Sequence, residues 1–192
     1  MIARTHDLAA ITALSIVFLA APVQNITLST AILAIIANLF GGITPDIDQP
    51  TAPFWRNLPV GKYFGRIFDH MLGGHRFLTH SILGVAIIGY LAYLLLSFLH
   101  PIMHSVNIDI VWWSFMIGIL SHLVIDSFNK EGVPWLLPIP IKFGFPPVKA
   151  WRIATDTWAE NWFVFPGLLI FDAVLYFQNY RLILHFLHGL IA

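Results

Sequence analysis

The sequence predicts an all-α fold: a polytopic membrane helical bundle of about five spans with long cytoplasmic loops. Three observations predict it. Hydrophobic residues make up 58% of the 192 residues and charged residues only 10%, against about 25% charged in ordinary soluble domains. Too little polar surface remains to face water all round, so lipid is the expected solvent. Five stretches are long and apolar enough to read as membrane helices. Threading those five spans puts nearly every basic residue on one side.

The spans are expected at about 8–22, 28–42, 81–99, 110–128 and 162–180. The first two are short: fifteen residues rise about 22 Å, against a hydrocarbon core of about 30 Å. They are expected to pair as a hairpin, or one to be partly buried against the others. Arg4, the apolar run after it and the small residues before Pro22 also resemble a secretory signal peptide, which Pro22 disfavours. The connections 23–27 and 100–109 are short. The connections 43–80 and 129–161 are long and rich in Pro, Gly and aromatic residues, which suggests segments at the membrane interface packing on helix ends. This length suits a single domain over residues 1–192.

Arg4, Arg56, Lys62, Arg66, Arg76, Lys130, Lys142, Lys149 and Arg152 thread to one side and only Arg181 to the other. By the positive-inside rule the crowded side is cytoplasmic and the C-terminus lies outside. Zero net charge argues against an electrostatic grip on nucleic acid. The chain has no cysteine and nine histidines, so His, Asp and Glu are the strong metal ligands available.

Four segments carry ligand-type residues. In Pro45-Asp46-Ile47-Asp48 two carboxylates are two apart, and an extended stretch would point them the same way. They would repel by about 4 kcal/mol at 4 Å and an effective dielectric near 20, and a cation between them would remove that cost. A turn motif would use the same residue types. In His75-Arg76-Phe77-Leu78-Thr79-His80-Ser81 two histidines flank an arginine at the start of a helix, with Thr79 or Ser81 as its N-cap. An Arg beside a helix N-terminus favours an anion such as phosphate; two interfacial histidines are the plainer reading. His122 and Asp126 share a helix face four residues apart, inside an apolar span. An ionised Asp at the centre of a membrane helix costs roughly 2.5–3.5 kcal/mol, so the pair should face the bundle interior and have partners. Glu160, before the last span, is a better ligand candidate than Asp156, which suits a helix cap. His6 precedes the first span.

Topology brings His6, Asp46, Asp48, His75, His80, His122, Asp126 and Glu160 to one membrane face. Mixed His and carboxylate ligands suit zinc, with manganese or iron as alternatives, and eight candidates allow one or two ions. His70, His100, His104, His185 and His188 lack convergent partners.

At these residues the sequence resembles the YdjM family of membrane-bound, predicted metal-dependent hydrolases. The matching pieces are His6, the Pro45–Asp48 motif, the motif from His75 to Ser81, the Ser121–Asp126 motif, the Gly132-Val133-Pro134 turn and Glu160. The residue order is similar, more distantly, to zinc-dependent phospholipase C and P1-type nucleases, which implies a helical phosphoesterase-like site. The expectation is therefore a metal-dependent hydrolase acting on a phosphoester or phospholipid at the cytoplasmic face. Arg76 and Asp126 are its expected catalytic residues, zinc its most expected metal and membrane lipid its partner. Transport of a divalent cation or proton is the alternative; against it, no polar run is evident across the first, third or fifth span. A non-catalytic protein stabilised by a structural metal is a third reading.

Overall fold

The computed structural model describes residues 1–23, 26–56, 58–71, 76–139 and 141–191. Among them the chain forms α1 (Ala3–Ala20), α2 (Leu28–Ile43), α3 (Pro53–Arg56), α4 (Gly61–Met71), α5 (Ile82–Leu99), α6 (Ile108–Ser127), α7 (Phe165–Gln178) and α8 (Tyr180–Ile191). No strand forms among the described residues; two isolated bridges join Asn129 to Ile153 and Val133 to Phe143. Five segments are long and apolar enough to cross a membrane: Ala3–Ala20, Leu28–Asp48, Ile82–Ile102, Ile108–Ser127 and Glu160–Gln178. The all-α membrane bundle predicted from sequence is the one observed.

The first two spans are longer than expected. α1 starts at Ala3 because Thr5 and His6, though polar, are buried on its inner face and do not interrupt it. α2 runs on through a 3₁₀ turn, Thr44–Asp48, with Pro45 near its start, where a missing N–H costs no hydrogen bond. That turn corrects the extended reading of the Asp46–Asp48 pair; the two carboxylates approach opposite nitrogens of His80, at 3.8 and 3.6 Å. α7 is preceded by a π-helical turn, Glu160–Val164. Helix starts follow local chemistry. Thr27 accepts from the Thr30 N–H (3.2 Å), Ser81 from Gly84 (3.0 Å) and Asn107 from Asp109 and Ile110 (3.1 and 3.2 Å).

α6 is the axis of the bundle. It packs on α2 at points where side chains are absent. A Cβ on Gly41 would lie 2.1 Å from the Phe115 carbonyl oxygen, and one on Gly118 the same distance from that of Asn38. In lipid, helix association relies on such close backbone approach and on interhelical hydrogen bonds. Asn38 supplies one, donating to the Ser114 carbonyl at 3.0 Å. α1 lies across both helices through Ala9 and Ala10, both buried, and Ala10 Cβ comes close to Gly42. α5 joins α6 through Trp112, whose indole N–H donates to the Gly89 carbonyl at 2.7 Å.

The seam between α1 and α7 is polar. The Thr12 hydroxyl meets Asp172 Oδ2 at 2.9 Å, and Ser15 meets the Tyr176 hydroxyl at 2.7 Å. Asp172 is buried. The first and fifth spans therefore do carry facing polar groups, contrary to the sequence reading. The signal was diluted because those residues are spaced along helices rather than run together.

Replacing Gly118 by Val is expected to cost about 1–3 kcal/mol through overpacking at the α2–α6 crossing. The measurement is the thermal unfolding midpoint of the detergent-purified protein. A Cβ at Gly167 would meet nothing within 4 Å, so Gly167→Ala should leave that midpoint unchanged.

Candidate metal centre

His122 is the fixed point of the site. α6 carries it one turn before Asp126, and both side chains are fully buried. Its Nδ1 lies 2.6 Å from the Gly42 carbonyl oxygen. A carbonyl can only accept, so Nδ1 carries a proton, and Nε2 is the ring atom turned toward the carboxylates. Nε2 has no hydrogen-bond partner among the described residues, and faces Asp46 Oδ1 at 3.5 Å and Asp126 Oδ2 at 3.8 Å. Two carboxylates converging on one imidazole nitrogen concentrate negative charge, which a cation there, a proton or a metal ion, would offset.

His6 stacks on His122 with ring centroids 3.8 Å apart and planes 11° from parallel. Its Nε2 is 3.4 Å from Asp126 Oδ1, and neither ring nitrogen has a hydrogen bond among the described residues. His80 sits just before the Ser81 cap of α5. Its Nδ1 is 3.0 Å from the Thr79 hydroxyl oxygen, and that hydroxyl donates to Asp48 Oδ2. The single Thr79 proton is spent on Asp48, so the contact requires His80 Nδ1 to donate. His80 Nε2 then faces Asp46 Oδ1 at 3.8 Å and Asp126 Oδ2 at 3.7 Å. Such hydrogen bonds to the remote nitrogen are the usual support of metal-binding histidines.

Two groups of ligand atoms result: His6, His122 and Asp126, and Asp46, His80 and His122. Within each, the atoms lie no more than 4.8 Å apart. The groups share the free nitrogen of His122, and an imidazole nitrogen binds one ion. The cluster therefore reads as one ion with up to five candidate donors, or as two ions of which only one holds His122. Nitrogen and carboxylate donors without sulfur suit zinc, manganese or iron. The donor set fits a divalent cation.

Arg76 closes one side of the cluster. It is buried, with φ +59°, a left-handed conformation that costs a non-glycine residue about 1–3 kcal/mol. Its N–H donates to Asp48 Oδ2 at 3.0 Å, while its guanidinium meets Asp126 Oδ2 at 2.6 Å and Glu131 Oε2 at 3.2 Å. Its Nε–H is buried without a hydrogen-bond partner among the described residues.

His6, Asp46, His80, His122 and Asp126 thus come together as the sequence led one to expect. Two other candidates take different positions. Asp48 binds the Arg76 N–H and the Thr79 hydroxyl, which makes it a support for His80 and Arg76. Glu160 is buried, but its Oε1 accepts from the Ile2 N–H and its Oε2 from the Asp156 N–H, each at 2.8 Å. It clamps the start of α1 to the turn before α7, whereas Asp156 adopts φ +56° and presents that amide. His75 lies outside the described residues. Sequence reasoning missed the Gly42 carbonyl, Glu131 and the bridging role of Thr79. Of these only Thr79, adjacent to His80, had a local signal.

The sequence profile of a family described as YdjM inner membrane protein matches residues 1–186. A Bacillus subtilis (strain 168) relative, named as the uncharacterized protein YvsG, is 28% identical over 107 residues. That match covers 55% of this chain and 58% of the relative, so little more than half the relative's length is spanned. No solved structure matches the chain.

Glu160→Ala should leave two buried amides unpaired and destabilise the protein by about 1–3 kcal/mol for each. The lower unfolding midpoint should come without loss of bound metal, measured by mass spectrometry of the elements. Loss of metal with an unchanged midpoint would instead make Glu160 a ligand.

Proposed function

The chain belongs to the YdjM inner membrane protein family, and on that premise we propose that it is a membrane-bound metal-dependent hydrolase, acting on a phosphoester or phospholipid at the cytoplasmic membrane surface. The observation that carries this reading is the His122 Nε2 atom, set between Asp46 and Asp126 beside a buried arginine. Zinc is the favoured ion, with manganese or iron next. When bound, such an ion supplies charge stabilisation and makes water a stronger nucleophile near neutral pH.

The remaining steps belong to the chain. His6, Asp46, His80, His122 and Asp126 present donor atoms, with His122 oriented by Gly42 and His80 by Thr79 and Asp48. Asp126 also orients Arg76. The Nε–H of Arg76 is the group left to receive a phosphoryl oxygen, where negative charge grows as the ester is attacked. Asp46, the more exposed ligand at 23%, is on the side from which a substrate would enter. The cytoplasmic placement rests on the skewed basic residues.

Transport of a cation or proton keeps one specific observation in its favour: the buried Thr12–Asp172 pair between the first and last spans. Ionisable groups inside spans commonly mark ion paths. Ion flux into proteoliposomes, lost in Asp172→Asn but not in His122→Ala, would select that reading.

For the hydrolase, His122→Ala and Asp126→Asn are expected to lose bound metal and at least 100-fold of phosphodiesterase activity, in line with the range for a lost electrostatic or metal contribution, about 10²–10³. Chelation should abolish wild-type turnover and added zinc restore it. Turnover that survives both chelation and His122→Ala would end the proposal. Alkaline phosphatase fused after residue 191 should be active and a fluorescent protein fused there dark, because the C-terminus is placed outside.

A further inference from the structure

The loop after α6 is tied to the membrane ends of two helices. The Trp135 carbonyl accepts the N–H of Ile82, the first residue of α5, at 3.0 Å. Its indole N–H donates to Ser127 Oγ at 3.0 Å, and the Phe145 N–H donates to the Ser127 carbonyl at 2.7 Å, both at the end of α6. Between these anchors Val133 and Phe143 exchange two backbone hydrogen bonds of 2.7 and 2.8 Å, so the chain out to residue 138 and back is a closed hairpin. The anchors place the hairpin at bilayer level, on the face that carries the metal centre.

The tip of that hairpin is apolar and outward. Leu136, Ile139 and Ile141 are 47%, 51% and 56% exposed. A polar loop would be expected there if the tip stood in water. The backbone carries fewer donors than its length would give. Irregular backbone enters hydrocarbon only when its amides are satisfied. Of the nine residues from Val133 to Ile141, three are prolines (Pro134, Pro138 and Pro140), which have no N–H to satisfy. The Val133 N–H is held by Phe143, and the Ile139 N–H by the Leu136 carbonyl at 2.9 Å. Lys142, exposed beside Phe143 at the base, has the reach to keep its ammonium among head groups while its stem lies along apolar groups.

We propose that the apolar side chains of the hairpin tip, Leu136, Ile139 and Ile141, are inserted into the acyl layer of the leaflet beside the metal centre, and that their occupant is the bilayer the helices themselves span. Residues 135–138 turn just beyond the Trp135 anchor, which holds the start of the tip at the ends of α5 and α6. The head-group zone on each side is only about 5–8 Å deep, the difference between total and hydrocarbon thickness shared between two leaflets. An apolar tip anchored at the helix ends has only that thin zone between it and the acyl layer. Insertion wedges lipid apart at the mouth of the cluster, and so fits a ligand drawn from the membrane.

The chain has no cysteine, so single nitroxide labels can be placed at Leu136→Cys, Ile139→Cys and Ile141→Cys in the full-length protein. Reconstituted in vesicles of phosphatidylcholine and phosphatidylglycerol, labels at 139 and 141 should collide several-fold more with oxygen than with a water-soluble nickel chelate. A label at Thr51→Cys, an exposed loop position on the same side, should show the reverse. Nickel-dominated collisions at 139 and 141, equal to those at 51, would overturn insertion. Protection seen only in native membranes and absent in vesicles would also overturn it and assign the tip to a protein partner. The measurement involves neither metal nor turnover, so it can fail without touching the hydrolase reading, and the reverse holds.

Discussion

Asp126 is a carboxylate fully buried within a membrane-spanning helix, and most of the site exists to make that tolerable. Left alone it would carry a desolvation cost of several kcal/mol. Arg76 offsets that cost at 2.6 Å, His6 approaches at 3.4 Å, and the Met1 nitrogen lies 2.9 Å away. The partners come from two distant parts of the chain, its start through α1 and the segment before α5, and meet on an acid of α6. The position of one acid thus ties together the helices that would otherwise be held mainly by weak packing forces in lipid.

Two further features let those partners arrive. The glycine contacts between α2 and α6 bring the last turn of α2 close enough for the Gly42 carbonyl to reach His122. Helix ends leave carbonyls without an intrahelical partner, and here one of them fixes the Nδ1 proton of a buried histidine. The 3₁₀ turn that follows swings Asp46 toward His122 and sends Asp48 to the Arg76 amide and Thr79. Asp48 therefore holds two things at once: the strained backbone of Arg76 and, through Thr79, the orientation of His80. Strain of this kind persists only where surrounding contacts over-determine it.

The same face is apolar outside and polar within. Trp151, Trp158 and Trp162 are 74%, 69% and 75% exposed in the loop and helix start that flank the cluster, as expected of aromatic side chains at a bilayer surface.

The sequence by itself determined the solvent, the fold class and the number of spans, because hydropathy over a span is a sum that no tertiary contact can change. It also determined which residue types gather on one face, since five crossings leave each loop only one side to occupy. The His122–Asp126 pair was legible for a similar local reason: four residues on a helix fix a shared face. Only the tertiary structure decided the division of labour. Asp48 and Glu160 are ligand candidates in sequence; the fold adds an amide and a hydroxyl to Asp48 Oδ2 and two amides to Glu160, because a carboxylate's hydrogen bonds depend on which donors lie within 3 Å and those come from far along the chain. The Gly42 carbonyl has no side chain to announce it, and Glu131 gained its role from where the left-handed Arg76 sent its guanidinium. Thr12 and Asp172 sit 160 residues apart. Their pairing is a property of α1 lying against α7, which the periodicity of neither helix encodes.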